Sequence, residues 1–188
     1  LGLGVDQITA AQLAGPAVCT LGDEDGIKVL SWYVAGIASK LPTDHWKRLI
    51  SSFDVYCFQA TWDTENATLE GYVSYSVPAC KSALGRPSGG LATWVSTSLS
   101  CTISDIGPLF SSFQVLKFSF REPGQVIVVQ FYNNDCSAGP VKNFYALFSF
   151  ISLLKDAPRT ASAELVICGD FNASICTTHE KPTGSIVG

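Results

Sequence analysis

A chain of 188 residues, 47% hydrophobic and 15% charged, is long enough to bury a core and too apolar to be intrinsically disordered. Its net charge of -4 disfavours nucleic-acid binding without excluding it, because proteins that bind nucleic acid usually carry a basic excess. No run of about 18 consecutive apolar residues occurs, so the sequence predicts no membrane-spanning helix.

The first elements in chain order are an extension, a strand and a helix. Residues 1–26 are rich in Gly and Ala and end in a turn-like acidic sequence, so we predict an extension ahead of a domain at 27–188. The apolar, β-branched run 27–34 predicts a buried strand. The residue types at 42–44 start helices, and apolar residues at helical spacing follow, beginning with Trp46.

Strand patterns dominate the middle of the chain, and a helix lies near its end. Short apolar or alternating runs predict further strands at 54–59, 72–77, 91–97, 114–120, 125–132 and 164–168. A Glu-Pro-Gly turn between the runs 114–120 and 125–132 predicts a hairpin. Apolar residues at helical spacing over 141–155 predict a helix. This order is typical of an α/β or α+β fold with mixed sheets.

The cysteines carry no metal-site signature. There are seven, an odd number, and none forms a Cys-x-x-Cys pair, so a zinc ribbon or thioredoxin motif is absent from the sequence. Cys57 and Cys168 lie in apolar runs that we interpret as central strands, where cysteine usually packs as a small hydrophobic side chain. Reduced thiols in an intracellular protein are favoured, and a secreted protein with some disulfides stays open.

The sharpest chemical signal is the sequence Gly-Asp-Phe-Asn at 169–172, where an apolar strand delivers an acid and an amide to a sheet edge. Asp170 at such an edge is suited to act as a general base on water, and Asn172 to orient a phosphate oxygen. A strand-ending turn without function explains the same residues, because Gly, Asp and Asn are common in turns.

Five segments in order resemble motifs of the endonuclease/exonuclease/phosphatase family, over roughly residues 27–175. Besides the Gly-Asp-Phe-Asn motif, they are 30–36, 55–62, 85–95 and 130–132. The Gly-Arg-x-x-Gly-Gly lead-in at 85–90 and the Gln-x-Thr-Trp context at 59–62 are most similar to the endonuclease domain of non-LTR (LINE-type) retrotransposons. The resemblance implies a four-layer sandwich of two mixed β-sheets flanked by helices, C-terminally truncated relative to the family.

The resemblance also implies roles for the residues that match its motifs. Asp170 would polarise the attacking water, Asn172 would hold the scissile phosphate and Tyr132 would brace it. Gln130 stands where the family has an asparagine, two residues before this tyrosine. Arg86, in the Gly-rich loop, is a weak candidate for binding a nucleic-acid phosphate, since an arginine fork suits that task and a solvent-exposed turn residue explains it equally.

At two positions of the family motifs, this chain has a residue that cannot perform the role of the family's residue. The asparagine of the first motif is Tyr33, and the glutamate that ligates the divalent metal is Ala60. Mg²⁺ binds through carboxylates and water, and an alanine side chain offers no oxygen. Asp63 and Glu65 lie nearby in the loop, at the wrong spacing to replace the glutamate. We therefore predict no metal ligand and no cofactor, or Mg²⁺ if the chain is active.

A third family feature, a closing Ser-Asp-His motif, has no counterpart. The late histidine His179 has a different sequence context, and we interpret it as a solvated residue. Catalytic groups that act as a unit lose most of their effect when one is removed. The leading hypothesis is therefore a degenerate, catalytically impaired retrotransposon-type endonuclease domain, retained for its fold or for binding, with DNA as a candidate partner.

Two alternatives stay open. One is a Mg²⁺-dependent DNA-nicking endonuclease in an inactivated or truncated form, and the other is a secreted non-enzymatic protein with disulfides and glycans. The segment that the family has after the Gly-Asp-Phe-Asn motif supplies strands to its second sheet. Its absence predicts an unpaired sheet edge, and hence self-association, coverage of that edge by residues 1–26, or different packing there.

Overall fold

The structure is a computed structural model that describes most of the chain. The described residues are 17–21, 26–41, 46, 52–63, 67, 69–81, 85, 87–107, 113–120, 124–133, 140–158, 160 and 162–171. The predicted helix after residue 42 falls largely outside them, although Trp46 itself is helical. Within these ranges, no helix has the length and hydropathy that crossing a membrane requires.

The first sheet is mixed and has the order β1-β2-β3-β5-β4. Its strands are β1 (Ala17–Leu21), β2 (Ile27–Tyr33), β3 (Val55–Gln59), β4 (Tyr72–Val77) and β5 (Leu91–Ser96). The pair β2 and β3 is parallel, and the other neighbours are antiparallel. A short 3-10 helix, Ile37–Ser39, follows β2. The parallel pair matters for the site because both of its strands end at the same edge.

The second sheet has the order β6-β7-β8-β9. Its strands are β6 (Cys101–Asp105), β7 (Phe113–Phe120), β8 (Gln125–Tyr132) and β9 (Glu164–Asp170). The predicted hairpin is confirmed as the antiparallel pair β7 and β8, and the helix α1 (Pro140–Asp156) connects β8 to its parallel neighbour β9. The predicted fold class, two mixed β-sheets with helices outside them, is confirmed.

Alternating side chains divide the core into layers, as the two-residue period of a strand requires. On β3, Val55 and Cys57 point toward the second sheet and pack with residues such as Leu116. Tyr56 and Phe58 point the other way and pack against Trp46 and its neighbours. On the far side of the second sheet, α1 contributes the buried side chains Leu147, Ile151 and Leu154. In the described residues, the first sheet, the second sheet and α1 thus follow one another, with Ile37 and Trp46 on the outer face of the first sheet.

Two strands were absent from the sequence-based prediction, and one was placed wrongly. β1 lies within the segment predicted as an extension, and it pairs antiparallel with β2 along all of its five residues. β6 pairs with β7, and its alternating, half-buried pattern is weaker than that of the central strands. Cys168 was assigned to a central strand, but β9 stands at the end of the described order of its sheet. Periodicity alone does not tell a central strand from an end strand.

Candidate functional site

The two parallel strand pairs end beside each other. Tyr33 at the end of β2 is in register with Gln59 on β3, and Tyr132 at the end of β8 is in register with Asp170 on β9. The rings of Tyr33 and Tyr132 meet with centroids 6.2 Å apart, and Tyr132 packs in one buried cluster with Ala60. The structure thus brings together the residues that the sequence singled out at 33, 60, 132 and 170.

Asp170 is held by its backbone as the last residue of β9. Its carbonyl oxygen accepts a hydrogen bond from the backbone N–H of Asn133 at 3.0 Å. The side-chain amide of Asn133 donates to the carbonyl of Phe171 at 3.3 Å. Asn133 is 4% exposed and was missed by the sequence-based prediction, although it directly follows the Tyr132 motif. Asn172, its predicted partner in the site, lies outside the described residues.

The glycine of the Gly-Asp-Phe-Asn motif has a structural reason to be glycine. Gly169 has φ +142° and lies in register with Phe131 on β8. A Cβ placed on Gly169 would lie 1.8 Å from the carbonyl oxygen of Phe131. The close approach of the two backbones sets where Asp170 stands relative to Tyr132.

Tyr33 covers the mouth of the site with an aromatic ring. Its side chain is 46% exposed and packs at an interplanar angle of 42° on Tyr132, which is only 7% exposed. A small amide at this position could orient polar groups, whereas a tyrosine fills the space with a ring. The arrangement favours contact with flat, apolar groups over coordination of a hydrated ion.

Ala60 lies at the bottom of the site, in an apolar environment. It is fully buried, has φ +53°, and clusters with Leu91 and Tyr132, with Trp62 and Val77 packed around them. Its carbonyl accepts a hydrogen bond from the backbone of Gly36 at 2.9 Å. A non-glycine residue with positive φ is uncommon, and such conformations concentrate at functional sites. Ala60 has this backbone conformation, but its methyl side chain has no group that could bind a metal ion or take part in catalysis.

The Gly-rich lead-in to β5 holds the loop that follows Ala60. The backbone N–H groups of Thr61 and Trp62 donate to the carbonyls of Gly90 and Gly89 at 3.2 and 3.1 Å. The side chain of Trp62 also packs closely on the backbone of Gly36, where an added Cβ would lie 2.7 Å from its ring. Arg86, in the same lead-in, lies outside the described residues.

The described residues around Ala60 do not fit the magnesium site that the family resemblance implies. In the ranges that the structure describes, no three His, Cys, Asp or Glu side chains converge on one point. The nearest alternative carboxylate, that of Asp63, accepts a hydrogen bond from the backbone of Ala67. Glu65 falls outside those ranges. Since Mg²⁺ needs oxygen ligands, the apolar walls around Ala60 offer it no binding site.

Known structures share this fold at low sequence identity. The chain is similar to the catalytic domain of Xenopus laevis APE2, with a TM-score of 0.51, 17% identity, and coverage of 78% of this chain and 58% of that one. It is similar to the human Nocturnin catalytic domain, with a TM-score of 0.51, 16% identity, and coverage of 91% and 70%. The 3' phosphatase NExo from Neisseria, bound to a product DNA hairpin, matches with a TM-score of 0.50, 17% identity, and coverage of 77% and 57%.

The chain therefore spans little more than half the length of the APE2 catalytic domain. No curated protein matches the sequence significantly. The model of the Endonuclease/Exonuclease/phosphatase family matches residues 34–179, which is most of the sequence and includes β3 and the parallel pair β8 and β9. Together with the two sheets and the Gly-Asp-Phe-Asn strand end, this match means that the chain belongs to the endonuclease/exonuclease/phosphatase family.

Proposed function

We propose that the chain is a degenerate endonuclease domain of the retrotransposon type, which keeps the family fold and lacks efficient phosphodiester hydrolysis. The observation that carries the proposal is the fully buried Ala60, enclosed by Leu91 and Tyr132, at the position of the family's metal-binding glutamate. Introducing a cation into such an apolar pocket removes its hydration and returns no ligand, which is unfavourable.

The retrotransposon part of the proposal depends on one loop. The Gly-Arg-x-x-Gly-Gly lead-in and the Gln-x-Thr-Trp sequence are the two features most similar to the retrotransposon branch. Gly89 and Gly90 hydrogen-bond the backbone of Thr61 and Trp62, so the two features belong to one structural unit. Their occurrence together supports common descent of that unit.

DNA is the candidate partner under this proposal. One structural neighbour is bound to a DNA hairpin. The family resemblance implies that Tyr132 braces the phosphate, and Tyr132 is in register with Asp170. The net charge of -4 opposes tight binding, because phosphate neutralisation by basic residues supplies most of the affinity of such complexes. We therefore expect binding that is weak and weakens further with added salt.

A plasmid-nicking assay with Mg²⁺ or Mn²⁺ tests the proposal. We expect no conversion of supercoiled to nicked plasmid above the buffer background, because no carboxylate lies at position 60. The variant Asp170→Ala should behave like the unaltered chain, and circular dichroism should show that both are folded. Nicking by the unaltered chain that Asp170→Ala abolishes would show an active enzyme and favour the alternative of a metal-dependent endonuclease.

Self-association through β9 is also part of the proposal. β9 ends the described order of its sheet, and Ile167 on it is 41% exposed. An exposed strand edge with apolar side chains is a template for pairing with another chain.

Sedimentation velocity tests the self-association. The fraction of dimer should increase with protein concentration, and no dimer should form in Ile167→Lys. The matched control is Val73→Lys, on the end strand β4 of the other sheet, where valine is 45% exposed. A monomer at all concentrations would contradict this expectation.

A further inference from the structure

Two cysteines from different sheets face each other beneath the candidate site. Cys57 lies on β3 and is fully buried, and Cys168 lies on β9 and is partly exposed. Both side chains pack into the same apolar cluster between the sheets. Both are free thiols in the structure. The hydrolytic site described above uses neither of them.

The backbone geometry around this pair is compact. Cys57 is in register with Thr93 on β5, and Cys168 is in register with Gln130 on β8. The Thr93 hydroxyl lies 2.8 Å from the side-chain oxygen of Gln130, so a second contact joins the sheets at the same level. Cα atoms of β3 and β9 come within 8 Å of one another. The two cysteines therefore lie at a level where the sheets are in direct contact.

We propose that Cys57 and Cys168 form a disulfide that links the two sheets when the folded chain meets a disulfide oxidant such as oxidised glutathione. A disulfide requires Cα atoms about 4.4–6.8 Å apart, and the two cysteines lie on strands that have Cα atoms within 8 Å of each other. Disulfides between two packed sheets occur in immunoglobulin domains, where they also cross the core. The proposal is independent of whether the chain hydrolyses DNA.

The reaction proceeds by two thiol–disulfide exchanges. The thiolate of Cys168 attacks one sulfur of oxidised glutathione, which forms a mixed disulfide and releases one glutathione. The thiolate of Cys57 then attacks the Cys168 sulfur and releases the second glutathione. The two protein thiols lose two protons and two electrons in all, and two molecules of reduced glutathione are formed.

The environment of the two thiols sets the order and the speed of these steps. Cys168 is the partly exposed member and therefore reacts first with the oxidant. The interaction with the neighbouring Cys168 thiol and then burial raise the pKa of the Cys57 thiol well above its usual range, so its thiolate is scarce. The second exchange is therefore slow, and oxidation should take hours where exposed thiols react in minutes.

The link would act directly on the candidate site. Cys168 is two residues before Asp170, and Cys57 is three residues before Ala60. A covalent bond at this level holds the ends of β3 and β9 at one separation. It also closes a loop of more than about a hundred residues, and long loops give the largest entropic stabilisation of the folded state.

Oxidation of the intact chain tests the proposal. After incubation with oxidised glutathione, alkylation of the remaining thiols and digestion, mass spectrometry should find the peptides of Cys57 and Cys168 joined. The thermal unfolding midpoint should rise by at least about 5 °C and return to its starting value with reductant. Cys80→Ser, which removes an exposed thiol, should change neither result, and Cys168→Ser should abolish both.

Three outcomes would overturn the proposal. The first is that Cys57 is still a free thiol after oxidation, so that it is alkylated once the oxidised chain has been unfolded. The second is glutathione retained on Cys168 with no link to Cys57. The third is a rise of the unfolding midpoint that persists in Cys168→Ser, because it would come from another pair of cysteines. Since Cys168 is partly exposed, its replacement by serine should leave the fold intact and the comparison valid.

Discussion

Replacing Gly169 with alanine is expected to destabilise the folded chain by about 2–5 kcal/mol, a large fraction of the stability of a typical domain. The added methyl group would meet the carbonyl oxygen of Phe131 at 1.8 Å, and this oxygen belongs to the backbone of β8. Overpacking typically costs about 1–3 kcal/mol, and the positive φ of +142° adds about 1–2 kcal/mol for a residue with a side chain. β8 and β9 can relieve the clash only by separating.

Gly71→Ala is the matched control for this prediction. Gly71 also has a positive φ, +83°, but a Cβ there would meet nothing within 4 Å. Its replacement should cost about 1–2 kcal/mol, from backbone strain alone. Urea denaturation followed by tryptophan fluorescence measures both free energies of unfolding. Equal values for the two variants would mean that the contact between Gly169 and Phe131 does not constrain the fold.

The double variant with Tyr33→Asn and Ala60→Glu is expected to bind Mn²⁺ or Mg²⁺ where the unaltered chain does not. A glutamate at the fully buried position 60 places a carboxylate among apolar groups, which is unfavourable without a cation. Tyr33→Asn removes the ring that covers Tyr132 and opens the mouth of the site. At an ion concentration 100-fold above Kd, the free energy of unfolding should rise by about 2.7 kcal/mol.

The control for this gain in ion binding is the double variant with Tyr33→Asn and Ala60→Gln. A glutamine side chain has nearly the same size as that of glutamate and carries no charge. It should show no dependence on the ion, and neither should the unaltered chain, in denaturation curves with Mn²⁺ or with chelator. Ion-dependent stability of equal size in the unaltered chain would contradict the proposed loss of the metal site.

Local patterns predicted the elements whose signals lie within one segment. The run Gln125–Tyr132 forms β8, the segment 141–155 with helical spacing lies within α1, and the predicted hairpin is present as the antiparallel pair β7 and β8. β1 and β6 were missed because short strands at the end of a sheet bury little, so their sequences need not alternate strongly. β1 and β6 are stabilised mainly by hydrogen bonds to a neighbouring strand, and their own sequences do not indicate which strand that is.

The amino-acid sequence by itself determined the chemistry available to this chain: an acid at Asp170, a tyrosine at Tyr132, and no carboxylate at Ala60. Only the tertiary structure decided which groups come together, including the rings of Tyr33 and Tyr132 and the side chains of Cys57 and Cys168. The physical reason is that strand periodicity specifies which face a side chain lies on, whereas the partner on the opposite sheet is set by register and packing between segments far apart in the chain.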